Sequence, residues 1–296
     1  MRLPKRESLF LTLFWTKRLV FVMMKSAFEE RGIRMADYNL HTHTARCRHA
    51  AGEDREYVEA AIKAGLKTLG FADHCPQFFP VDNYYSHFRM FPEQAQEYAE
   101  SIRALQKEYA SEIRILLGFE TEYYPETFDK LIEFVRPLHL DYMLMGQHFV
   151  GNEYDEGSYS TIDKGKGEAY LSQYVAQVKE GLSTGAFTYL AHPDTVWYEG
   201  DPAFYIEQMT ELCRFAKAQD IPLEYNILGY LNKRCYPNPT FWDIVAKTGN
   251  KTVIGYDAHT PELLLDHAIY RECEQNLLKR GITPVTIDEI NLRNIK

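Results

Sequence analysis

The sequence predicts an α/β fold in which crossover helices join the strands of a parallel sheet. From Asp37 onward, short apolar runs alternate with longer helical patterns about seven times over, the order of strand, helix and next parallel strand. Neither a low-complexity linker nor a sequence repeat interrupts residues 36–296, so one domain is expected there. Closed on itself, such a sheet is a TIM-like barrel; left open, it is a doubly wound sheet.

The strand candidates run in order: "YNLH" at 38–41, "TLGFADH" at 68–74, "IRILLGFE" at 113–120 and "YMLMGQH" at 142–148. "FTYLAH" at 187–192, "PLEYN" at 222–226 and "TVIGYDAH" at 252–259 follow, with "TPVTI" at 283–287 as a further candidate. Between them, residues 54–65 and 168–181 read as helices. Around 93–109, Ala95, Tyr98, Ala99, Ile102 and Leu105 keep one apolar face, as do Ile206, Met209, Leu212, Cys213 and Ala216 around 203–217. Asp201-Pro202 gives an N-cap followed by proline at the first helical position, and Thr260-Pro261-Glu262 repeats that start signal. Two connections, 75–92 and 150–168, are longer than a barrel needs and rich in Tyr, Asp, Gly or Pro, as functional loops often are.

Composition narrows the function. The chain of 296 residues is 45% hydrophobic and 25% charged, long enough to bury a core without staples. Its net charge of −9 disfavours long nucleic acid as a partner. The five cysteines (Cys47, Cys75, Cys213, Cys235 and Cys273) are scattered and form no CxxC pair, which points to a reducing cytoplasm. "KRESLFLTLFWTKRLVFVMMK" is basic and apolar, but Lys17 and Arg18 split it. It is too short and too interrupted to span a bilayer, and no small-residue cleavage site follows. Residues 1–35 are therefore expected to be an extension outside the domain, disordered or loosely helical, with Met35 as a natural start and the domain over 36–296.

The metal-binding side chains gather at one end of the runs. His41 and His43 end the first, His74 the second, Glu120 the third, His148 the fourth and His192 the fifth. Asp257 and His259 end the seventh, and His49 lies on the loop after the first. The C-terminal edge of a parallel barrel is where active sites form. Alternate residues of an extended segment share a face, so His41 and His43 can chelate together, and so can Asp257 and His259. A lone histidine at a strand end is more often a hydrogen-bonded core residue. That bland reading is kept for His139, at the wrong end of a strand, and for His267, expected mid-helix; His87, in a long loop, fits either reading. These nine N and O donors are too many for one ion; two or three divalent transition metals fit, with Zn, Mn or Fe suited to imidazole and carboxylate. Adjacent ions sharing a carboxylate or hydroxide suit phosphate-ester hydrolysis.

"HTHT", "DHCP", "GFE", "GQHF", "AHPD" and "GYDAH", in this order, resemble the PHP (polymerase and histidinol phosphatase) domain family, in particular its stand-alone histidinol-phosphatase branch, over residues 36 to about 290. The resemblance implies a distorted (β/α)7 TIM-like barrel with a trinuclear metal centre at the C-terminal ends of the strands. It implies ligands at His41, His43, His49, His74, Glu120, His148, His192, Asp257 and His259, with Glu120 preferred over Glu122 by the G-x-E pattern. It implies hydrolysis of L-histidinol phosphate to L-histidinol and phosphate, in histidine biosynthesis, through a metal-bridging hydroxide. One departure stands out: the branch often carries a basic residue soon after the HPD motif, where this chain reads "HPDTVWYEG" with Trp197 and Tyr198.

Phosphate contacts are therefore sought among Arg46, Arg89, Lys233 and Arg234, since a guanidinium grips phosphate bidentately. Asp73 and Asp194 neighbour ligand histidines and are the candidates for orienting imidazoles or moving protons. Competing functions are a PHP-type phosphodiesterase or exonuclease on small nucleotides, and a non-catalytic metal-binding module. The expected partner is a small phosphate ester, with neither long nucleic acid nor membrane.

Overall fold

The computed structural model describes residues 36–81, 84, 86–155, 158 and 160–295; the extension expected at 1–35 lies outside them. Seven strands form one sheet in sequence order, and every neighbouring pair is parallel. They are β1 (Tyr38–Asn39), β2 (Thr68–His74), β3 (Arg114–Thr121), β4 (Tyr142–Met145), β5 (Tyr189–Leu190), β6 (Leu223–Asn226) and β7 (Thr252–Gly255). The first and last meet beyond their ends: Thr42 bridges Ala258, His43 N donates to Ala258 O at 2.9 Å, and Ala258 N donates to His41 O at 3.1 Å. The sheet thus closes into a (β/α)7 barrel rather than staying open.

The crossovers are α1 (Asp54–Ala64), α2 (Ala95–Glu108), α3 (Phe128–Val135), α4 (Glu168–Ser183) and α5 (Pro202–Ala218). A single turn, α6 (Ile227–Leu231), precedes α7 (Pro239–Thr248), and α8 (His267–Leu278) follows the last strand. Start signals explain several boundaries. The Asp201 side chain accepts from Ala203 N with Pro202 at the first helical position, and Asn238 caps α7 in the same way. Gly65 ends α1 in the left-handed conformation with its N–H returned to the last turn.

Three expectations need correcting. Residues 283–287 make no strand: Val285 N donates to Thr252 O at 2.9 Å and Tyr38 Oη to Val285 O at 2.8 Å, while Ile290, Val285, Ile287 and Leu292 pack on the inner barrel cluster. The segment closes the barrel floor instead of extending the wall. Thr260-Pro261 opens a short 3-10 turn, Pro261–Leu265; Asp266 caps the true helix, so His267 is its first residue rather than mid-helix. Ile206 is 45% exposed, and Tyr205 takes the buried place on α5. The short α3 and α7 were not anticipated, because each offers only two or three turns of periodicity.

Two apolar layers follow from the period-2 alternation of the strands. Outward-facing Leu69, Phe71, Ile115, Leu117 and Phe119 pack in the cluster that holds the helices, while Leu40, Ala72, Leu116, Tyr142, Leu144, Tyr189 and Val253 fill the lower barrel. Each such side chain contributes about 1.5–3 kcal/mol by leaving water. The Tyr142 hydroxyl, fully buried, donates to Leu40 O at 2.7 Å or Phe71 O at 3.1 Å, so its burial leaves no polar atom unmatched.

Candidate metal centre

The same alternation delivers ligands to the upper barrel. Along β3 the inward series is Leu116, Gly118, Glu120, and strand register sets His74 of β2 beside Glu120. Along β7 it runs Val253, Gly255, Asp257. A β-carbon on Gly146 would lie 1.8 Å from Glu120 Oε1, and one on Gly255 would lie 1.8 Å from Glu224 Oε1. These glycines give the carboxylates of the neighbouring strands their space. His192 and Asp257 sit at φ +30° and +53°, a left-handed turn that ordinary residues adopt only when the surroundings enforce it.

All nine expected ligands converge. The His41 and His43 rings lie 5.1 Å apart and His43 and His259 4.1 Å, with His74, His49, His148 and His192 ringed around them at 4.4–5.8 Å from a neighbour. Glu120 stands between two groups. Its Oε2 is 3.0 Å from His74 Nδ1 and 3.6 Å from Nε2 of both His41 and His43; its Oε1 is 2.8 Å from His192 Nε2 and 3.7 Å from His148 Nε2. Asp257 Oδ1 is 3.0 Å from His43 Nε2 and 3.5 Å from His41 Nε2.

These distances suit an ion between the atoms. Donors each about 2.1 Å from a tetrahedral ion lie about 3.4 Å from one another. His41 Nε2, His43 Nε2 and Glu120 Oε2 are buried with no hydrogen-bond partner, and His49 Nε2 faces His259 Nε2 at 2.9 Å, two ring nitrogens pointing at one spot. Several overlapping sets of three donors, His41–Glu120–His192 and His43–His74–His259 among them, make this a multinuclear transition-metal site.

On five of the seven rings the other nitrogen is tied back, which fixes the tautomer. His41 Nδ1 donates to Glu224 at 2.8 Å, His148 Nδ1 to Glu122 at 2.9 Å, His49 Nδ1 to Cys47 O at 3.0 Å and His259 Nδ1 to Asp257 O at 2.9 Å. His43 Nδ1 lies 3.4 Å from Asp73, which also accepts from the Thr44 hydroxyl and from His74 N. Asp73 is therefore an orienting residue behind His43. Glu122, the competing carboxylate, stands behind His148, whereas Glu120 occupies the centre.

Electrostatics record three buried carboxylates among imidazoles. Burial pulls His41 down, but Glu224, Asp257 and Glu120 outweigh it and hold the ring well above the usual imidazole range. His43 rises likewise against burial, through the neighbouring carboxylates of Asp257 and Asp73. Burial drives His148 and His259 down to about 3, so both are neutral and ready to ligate. Burial opposes ionisation of Glu120 and Asp257, yet the surrounding histidines hold both well below the carboxylate range. Protons on His41 and His43 thus offset charge that divalent cations would offset in their place.

The cations divide sharply. Only Arg234, of the four expected, lines the cleft of about 240 Å³ above the histidines, where its Nη1 donates to Tyr236 Oη at 2.6 Å. Arg46 turns away: it pairs with Asp54 at 2.8 Å and Glu97 at 2.8 Å. Arg89 is 2% exposed and held by Glu122 and Glu153. Lys233 is exposed and is not among the cleft residues. Asp194 also points away from the ligands; it accepts from Asn238 N at 2.5 Å and Trp242 Nε1 at 3.1 Å and ties the turn after β5 to the start of α7. Burial pushes its carboxyl up to about 7. His87 is exposed.

Two residues were missed. Glu224 of β6 is fully buried and orients His41, and its Oε2 also accepts from His192 N at 3.1 Å. Its signal was a lone carboxylate in "PLEYN", but a glutamate in a short strand usually faces water. Phe88 forms a cleft wall edge-on to His74 at 5.2 Å and parallel to Phe149 at 6.0 Å.

The family model described as PHP domain matches residues 39–227, and the chain belongs to that family. It is 31% identical over 234 residues, covering 75% of this chain and 85% of the relative, to a probable histidinol-phosphatase of Deinococcus radiodurans. It is 26% identical over 156 residues, 48% of this chain and 58% of the relative, to the histidinol-phosphatase of Bacillus subtilis. Its fold is similar to the crystal structure of histidinol phosphate phosphatase from Lactococcus lactis, solved with zinc, L-histidinol and phosphate, at TM-score 0.64 and 21% identity over 85% of this chain and 96% of that one.

Proposed function

We propose that this PHP-domain protein is a metal-dependent phosphomonoesterase that hydrolyses L-histidinol phosphate to L-histidinol and phosphate. One observation carries the reading: seven imidazoles and two carboxylates from six strand ends converge beneath a small cleft, with His41 Nε2, His43 Nε2 and Glu120 Oε2 buried and unpartnered at their centre. The 31% identity to a probable histidinol-phosphatase across 85% of its length supports the substrate. We assign His41, His43, His49, His74, Glu120, His148, His192, Asp257 and His259 as the metal ligands, for two to three ions, with zinc favoured by the donor set. Divalent ions held there lower the pKa of a water molecule and offset charge on the transferring phosphoryl group.

The chain's own residues do the rest. Asp73, Glu122 and Glu224 keep three imidazoles in the ligating tautomer. Arg234 is placed to hold the outer phosphate oxygens, braced by Tyr236. Phe88, Phe149 and Ile162 give the leaving alcohol an apolar wall and keep bulk water away. The cleft of about 240 Å³ accommodates a small ester and not a polynucleotide. Five free cysteines, four of them buried, fit a cytoplasmic setting; among the described residues no helix is long and apolar enough to cross a membrane.

The test is phosphate release from L-histidinol phosphate and from a nucleoside bisphosphate, and nitrophenol release from a bis-nitrophenyl diester, with metal content measured on the same preparation. The expected outcome is kcat/KM at least about a hundredfold higher for histidinol phosphate, with two to three metal ions per chain. Faster turnover of the diester or the bisphosphate would replace the substrate assignment, and fewer than one ion per chain would overturn the metal centre.

A further inference from the structure

We propose that Arg89 is a positioning residue: it fastens the segment after His148, through Glu153, to Glu122, the carboxylate that orients His148. This rests on the reading of His148 as a metal ligand. Three charged side chains from three separate connections meet out of water: Arg89 follows β2 and is 2% exposed, Glu122 follows β3 at 1%, and Glu153 follows β4 at 6%. Charges are buried this deeply only when paired.

Every contact divides the work. Oε1 of Glu122 accepts from both His148 Nδ1 and His148 N at 2.9 Å, which leaves His148 Nε2 directed toward Glu120. Oε2 of Glu122 is taken by Arg89 Nη2 and by Tyr124 Oη at 2.5 Å. The guanidinium then reaches across to Glu153 Oε2, from Nε at 3.0 Å and Nη2 at 2.7 Å, while Glu153 Oε1 accepts from Tyr84 Oη at 3.0 Å. One planar cation therefore joins an imidazole's partner to the segment 149–155.

The same group sets the cleft wall. Arg89 lies over the Phe88 ring at 4.4 Å, Phe88 is parallel to Phe149, and Phe149 bridges Ser160 directly after His148. Arg89 itself is not among the residues lining the cleft. A guanidinium with two carboxylates already on it is a poor phosphate ligand, but it is well built to hold two connections at a fixed spacing. Buried ion pairs of this kind add little net stability, while removing one partner leaves a charge stranded. Their value here is geometric: the orientation of His148 and the placement of Phe88 and Phe149 depend on one cation.

The experiment uses the full chain, metal-loaded, with p-nitrophenyl phosphate as the probe and inorganic phosphate as competitor. Glu153→Gln, Arg89→Met and Arg89→Lys are compared by metal titration, kinetics and hydrogen exchange of residues 149–155. For Glu153→Gln we expect faster exchange in that segment, wild-type metal affinity, kcat within about threefold and KM raised about tenfold. Arg89→Met should show the same exchange and also lose about 10–100-fold in metal affinity, because Glu122 is left without its cation. Arg89→Lys should restore much of the metal affinity but not the slow exchange, since a point charge cannot span both carboxylates. Wild-type exchange in Glu153→Gln and Arg89→Met overturns the proposal. So does an Arg89→Met protein whose only change is weaker inhibition by phosphate, which would make Arg89 a phosphate ligand. If Arg89→Met does not fold, Glu153→Gln and Arg89→Lys decide alone. Absence of metal or phosphatase activity in the wild type would instead count against the enzymatic reading, and the exchange data would still judge the link between the segments.

Discussion

The lower and upper halves of the barrel interior are built from the same strands and hold opposite chemistry. Below, Leu116, Tyr142, Leu144, Tyr189 and Val253 make a dry layer, floored by Ile290. Above, two residues further along a glycine and four along a ligand, β3 and β7 present Glu120 and Asp257 among seven imidazoles. In the lower layer the buried hydroxyls are matched, Tyr142 by Leu40 O and Tyr189 by Glu224. The upper layer keeps His41 Nε2, His43 Nε2 and Glu120 Oε2 buried without partners. The apolar half supplies the rigidity that lets the upper half keep polar atoms buried and unpartnered.

Substitutions can break this contrast from either side. His41→Ala or Asp257→Ala should remove metal and activity together, with turnover falling by about three orders of magnitude or more while the fold survives. Elemental analysis and phosphate release on the same sample check this; full metal content with lost turnover would separate the two. Leu116→Ala should do the reverse, costing about 2–5 kcal/mol of stability by opening a cavity while the remaining folded protein keeps its metal. Denaturant unfolding at fixed metal concentration reads it.

Arg234→Ala probes the rim above both halves. It should keep wild-type metal content yet lose about 2–4 kcal/mol in kcat/KM, with partial rescue by lysine. Unchanged kinetics would leave the phosphate to the metals alone. Acidity sharpens the contrast further. His41 and His43 are held above the usual imidazole range, so in metal-free protein near neutral pH they carry protons that a metal must displace. Affinity should therefore rise with pH, up to about tenfold per pH unit for each proton released. His148 and His259, lowered to about 3, should contribute none of those protons. Calorimetry in buffers of different ionisation heat counts them, and a pH-independent affinity would refute the scheme. The smallest effect is expected outside both halves: deleting residues 1–34 should leave metal content and turnover nearly unchanged, and an insoluble or metal-free product would show that the extension belongs to the fold.

Much of the upper half was legible in the chain. "HTHT" and "GYDAH" carry their ligands two apart, and a strand's period alone puts such pairs on one face. The second ring of residues was far less legible. Asp73 could be suspected as a neighbour of His74, but Asp194 looked equivalent beside His192 and faces Trp242 instead. Glu224 carried only the weak signal of a lone carboxylate inside a strand candidate. Arg46 and Arg89 lie in loops on the correct rim, yet their carboxylate partners come from connections 8 to 64 residues distant.

By itself, the sequence determined the alternation of strands and helices, the parallel order and the end of the barrel where the metal-binding residues fall. These depend on local periodicity and on spacing within single strands. What needed the folded chain was that residues 283–292 floor the barrel, that Glu224 reaches His41 from β6, and which cations reach the cleft. The physical reason is that a side chain's face is set by its own backbone, whereas its partner is set by which distant segment arrives beside it. For buried charges the cost of having no partner makes that second choice decisive.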